Sequence, residues 1–174
     1  MSNTKKLTVS AITVALGTVI MSLGAILEVM DLTTCCFASI LVMFVYTEIG
    51  SPYTWLVWLC TSLAMFMIVP AKPIWGEYLF LFGIYPVLKA YIERTPRVLW
   101  LILKTLFFAV VIVGAYFVCE LLIGLPFFET DVLWLKVGTS VLIAVCAAAY
   151  DMFLTVMFRF YLFKIRPRIK NLLK

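Results

Sequence analysis

The stretch KAYIERTPR, residues 89–97, decides how the rest of the chain is read. It is the one strongly charged connection inside a sequence that is otherwise almost continuous hydrocarbon. Lysine and arginine between apolar runs mark the cytoplasmic side of a membrane, so Lys89, Arg94 and Arg97 set the sidedness of the spans that flank them. Composition agrees. Of 174 residues, 65% are hydrophobic and 13% charged, against about 45–50% and about 25% in soluble domains. The formal net charge of +5 does not point to nucleic acid, because the basic residues sit at the ends of apolar runs and not along a face.

Working outward from that hinge, turn signals divide the apolar sequence into spans. Before it lies a short span over about residues 77–91. Its Gly83 and Pro86 predict a kink near Ile84-Tyr85. Pro70, Lys72, Pro73 and Gly76 mark the loop ahead of it, with Trp75 at the expected membrane interface. Further back are spans over about 53–69 and 32–49, separated by the turn Gly50-Ser51-Pro52. The acidic link 28–31 leads back to a first span over about 8–27. Met1 to Lys6 followed by an apolar run resembles the start of a signal peptide. The run is about 20 residues long, enough to cross, and no small-residue cleavage site follows, so we expect a retained helix. After the hinge come spans over about 98–123 and 132–160, joined by an acidic loop with Gly124, Pro126, Glu129 and Asp131. A basic tail, 161–174, ends in KIRPRIKNLLK. The reading is an all-α integral membrane bundle of six transmembrane helices, a single domain over 1–174, with both termini cytoplasmic. Of the 14 basic residues, only Lys72 and Lys136 fall on the outer side.

Ionisable groups at membrane depth are costly unless paired, so each is a candidate site. Asp151 lies eight residues before Arg159, about 12 Å along a helix. Lys104 lies seven residues beyond Arg97, at a similar depth. We expect Lys104 and Asp151 to pair between the fifth and sixth spans, either as a lock on the bundle or as a working site. Snorkelling of Lys104 to the headgroups is the alternative. Glu120 and Lys136 are placed to pair across the outer loop or to line a cavity. Tyr78, Tyr85, Tyr116, Trp75 and Trp134 would be its walls or an interface belt. Glu48 reads as a helix-end charge in headgroup water, and Glu77 as a favourable charge at a helix N-terminus. The chain has no histidine, which removes the commonest general base and metal ligand. Cys35, Cys36, Cys60, Cys119 and Cys146 lie in apolar runs and read as small buried hydrophobes; adjacent Cys35 and Cys36 do not suit a mutual disulfide. No catalytic, cofactor or metal-ligand motif stands out, and the chain is not read as an enzyme. In the first span, Ala11 and Ala15 form a small-xxx-small pair that lets another helix approach closely.

Six hydrophobic spans in fewer than 200 residues, both ends inside, no ATPase motif and AITVA in the first span resemble the substrate-binding S component of an energy-coupling factor (ECF) vitamin transporter. The opening KKLTVSAITVAL is similar to the usual start of such proteins. FLFGIYPVLKAYIER is familiar from small bacterial membrane proteins of this type. The resemblance implies that Ala11 and Ala15 dock on a transmembrane coupling subunit driven by two ATPase subunits. It implies uptake of a vitamin or other small micronutrient, bound in an outward-facing cavity near Glu28, Asp31, Lys72, Trp75, Glu77, Tyr116 and Glu120. Two other readings stay open: a non-transporting, MreD-like scaffold subunit of a cell-envelope or cell-shape complex, or a small membrane enzyme or channel.

Overall fold

The computed structural model describes residues 2–27, 30–69, 74–117 and 133–169. These residues are helical, with no strand among them. The helices are α1 (Asn3–Leu27), α2 (Asp31–Glu48), α3 (Ser51–Ile68), α4 (Ile74–Glu77), α5 (Tyr85–Ile92), α6 (Arg97–Phe117), α7 (Leu133–Phe160) and α8 (Arg166–Ile169). One π-helical turn, Tyr78–Phe82, joins α4 to the turn before α5, and a second, Tyr161–Ile165, joins α7 to α8. Four stretches are long and apolar enough to cross a membrane: Asn3–Leu27, Asp31–Glu48, Ser51–Ile68 and Gly138–Lys164. A shorter apolar stretch covers Leu99–Gly114.

Two compact units emerge. The first is Met1–Tyr91 together with Val156–Lys174, and the second is Ile92–Thr155. In the first unit α1 packs on both α2 and α3, and the α4 segment with its π-turn packs on α2 and α3. The buried face of α1 is Ser10, Thr13, Gly17, Thr18, Met21, Gly24 and Ala25. A face so rich in hydroxyls is compatible with an apolar setting because each hydroxyl is satisfied within its own helix. Ser10 Oγ donates to the Lys6 carbonyl at 2.9 Å, Thr13 Oγ1 to Val9 at 2.8 Å and Thr18 Oγ1 to Val14 at 2.8 Å. The absence of side chains then permits close approach. A Cβ on Gly24 would collide with the Thr34 side chain of α2. Gly50, at φ 106°, makes the tight turn from α2, and Pro52 follows in the first turn of α3, where its missing N–H is not needed.

The break in the fourth segment falls where Gly83 and Pro86 predict it, and begins one turn earlier than they indicate. Gly83 N–H reaches back five residues to the Tyr78 carbonyl at 2.7 Å, which closes the π-turn. The Leu79 carbonyl, which an unbroken α-helix would bond to Gly83, is taken instead by the Trp58 indole N–H of α3 at 3.0 Å. Only glycine fits at position 83, because a Cβ there would meet the Trp58 ring. The broken segment supplies the centre of the unit: Ile74, Tyr78, Phe82, Tyr85 and Val87 are all buried. Tyr78 and Tyr85 are therefore core residues and not the interface belt or cavity wall expected from sequence. The Tyr78 hydroxyl shares a hydrogen bond with Thr61 of α3.

Lys89 corrects the opening expectation. It does not lie in the charged connection but in α5, 1% exposed, with its ammonium 6.0 Å above the ring of Tyr85 one turn back. Tyr85 and Lys89 are four apart and so share a helix face, which here is the inward one. The connection itself is the turn Glu93–Pro96, in which Arg94 is exposed. The cysteines also divide: Cys35 is buried as expected, Cys36 is half-buried, and Cys60 and Cys146 are exposed, while Cys119 lies outside the described residues.

Candidate functional site

Three charged constellations stand out, two in the first unit and one in the second. At one end of the first unit the structure brings together Asp31, at the start of α2, and Trp75 and Glu77 in α4. Cys35 ties these elements, with its Sγ 3.9 Å from the Ile74 carbonyl. Trp75 meets the Phe66 ring edge-on at 5.0 Å. The Asp31 and Glu77 carboxylates are within electrostatic range of one another. Asp31 Oδ1 and Glu77 Oε2 are both shielded from solvent and accept no hydrogen bond from the described residues. Most shielded polar atoms in a folded protein have a partner, so these two oxygens retain acceptor capacity for a donor from outside. Of the other residues that the family resemblance placed here, Glu28, Lys72 and Glu120 lie outside the described residues. Tyr116 belongs to α6.

In the second unit Lys104 Nζ lies 2.8 Å from Asp151 Oδ2 and 3.3 Å from Glu93 Oε1. The three side chains are 17%, 23% and 30% exposed, respectively. The ammonium also lies 6.0 Å above the Trp100 ring. That ring is fixed by its own N–H, which donates to the Thr95 carbonyl at 2.6 Å across the start of α6. Lys104 is thus held between α7 and the turn that precedes α6. Sequence reasoning paired Lys104 with Asp151 and missed Glu93, which it left as part of the charged connection. Two carboxylates share one ammonium. Lys136 lies in α7 and its proposed partner Glu120 outside the described residues; Trp134 is exposed.

Glu48 departs furthest from expectation. Its side chain is 12% exposed and not bathed in headgroup water. Its Oε1 accepts from Tyr161 Oη at 3.0 Å, and it forms an ion pair with Arg166, whose Nε lies 2.9 Å away. The Phe44 ring, one turn earlier on α2, meets Tyr161 edge-on at 5.6 Å. The start of the basic tail is therefore helical and docked on the C-terminal end of α2. Ala11 and Ala15 are exposed and border the packed face of α1, Ala11 lying close around the axis to buried Thr18. Ile12, Leu16, Val19 and Leu23 flank them, also exposed.

No protein-family model matches this chain, and neither a curated protein nor a solved structure is detectably similar to it.

Proposed function

We propose that the chain is a six-span membrane protein with both termini cytoplasmic, and that it serves as the substrate-binding subunit for ATP-driven uptake of a vitamin or other small micronutrient, in the manner of an ECF transporter S component. The crossings are α1, α2, α3, the broken α4–α5 segment, α6 and α7. The basic residues gather at the ends this topology puts inside. The observation that carries the functional reading is the two-sidedness of α1. One face is locked into α2 and α3, and the exposed flank beside it offers Ala11 and Ala15 to a helix from outside the chain. That partner is a transmembrane coupling subunit, which in turn engages two ATPase subunits.

The substrate meets the protein at the outer end of the first unit. Two shielded carboxylate oxygens without a donor among the described residues, Asp31 Oδ1 and Glu77 Oε2, favour a small molecule that brings N–H or O–H donors or a positive charge. The protein binds and releases this molecule without altering it. The test is mass spectrometry of small molecules that co-purify with the chain from its host. A single enriched compound, reduced at least about tenfold in Asp31→Asn and Glu77→Gln, each worth a charge-assisted hydrogen bond, is the expected result. Equal recovery from both variants contradicts the site.

A scaffold subunit of an envelope complex is the second reading. It is favoured by the stretch of α7 from Gly138 to Ala149, where every residue but Ile143 and Ala147 is exposed. Faces of this breadth suit contact with several membrane partners.

A further inference from the structure

We draw no further inference here: the strongest candidate, the exposed apolar face of α7 from Gly138 to Ala149, carries nothing because nothing in the structure shows what covers it.

Discussion

Lys104 holds two carboxylates, and that sharing predicts unequal effects for substitutions within one cluster. In Asp151→Asn the ammonium keeps Glu93 at 3.3 Å, and one charge-assisted hydrogen bond weakens to an ordinary one. The expected loss is about 1 kcal/mol. Lys104→Met removes the ammonium that Asp151 and Glu93 share. The expected loss is about 2–3 kcal/mol, below the value for a fully buried pair because the groups are partly exposed. Unfolding titrations in mixed micelles measure both; equal losses would show that Glu93 contributes nothing. The Lys104–Asp151 pair was legible in sequence because two ionisable groups at one depth in adjacent apolar runs have few other ways to be satisfied. Glu93 was not, since a carboxylate beside an arginine in a connection looks solvated. Lys89 fell inside the span read over 77–91 but was counted with the charged connection, and its charge gives no sign that its helix face turns inward.

Helix ends and breaks follow local chemistry, and that made most of the elements readable. Gly50-Ser51-Pro52, Gly83 and Pro86 announce a turn, a break and a restart, each for a stated backbone reason. What sequence did not show is how the break is satisfied. The Leu79 carbonyl depends on an indole N–H 21 residues away, and nothing local to Leu79 signals it. Gly83→Ala should force Trp58 off this carbonyl and cost about 1–3 kcal/mol, as overpacking of a tight site does. Trp58→Phe keeps most of the ring but loses the donor, at a cost of about 1 kcal/mol. If both variants unfold like wild type, the indole contact is incidental to the break. The Glu48 clasp lies further still from local inference, because Tyr161 is 113 residues away and the extra residue of a π-turn has no sequence signature of its own.

For the whole molecule, topology comes before function. On a cysteine-depleted background, Thr95→Cys should react with an impermeant thiol reagent only from the cytoplasmic side, and Gly76→Cys only from outside. Labelling of both from one face would remove the fourth crossing and with it the six-span reading. The proposed function turns on α1. The most direct test is purification of the tagged chain from its host in mild detergent, with identification of every protein retained, beside the Ala11→Leu, Ala15→Leu double variant. Both positions are exposed, so the variant should fold and express as wild type does. The account predicts that wild type retains a membrane coupling subunit with two ATPases and that the variant loses them. Recovery of envelope-synthesis proteins instead, or the same transporter subunits from both forms, would contradict it.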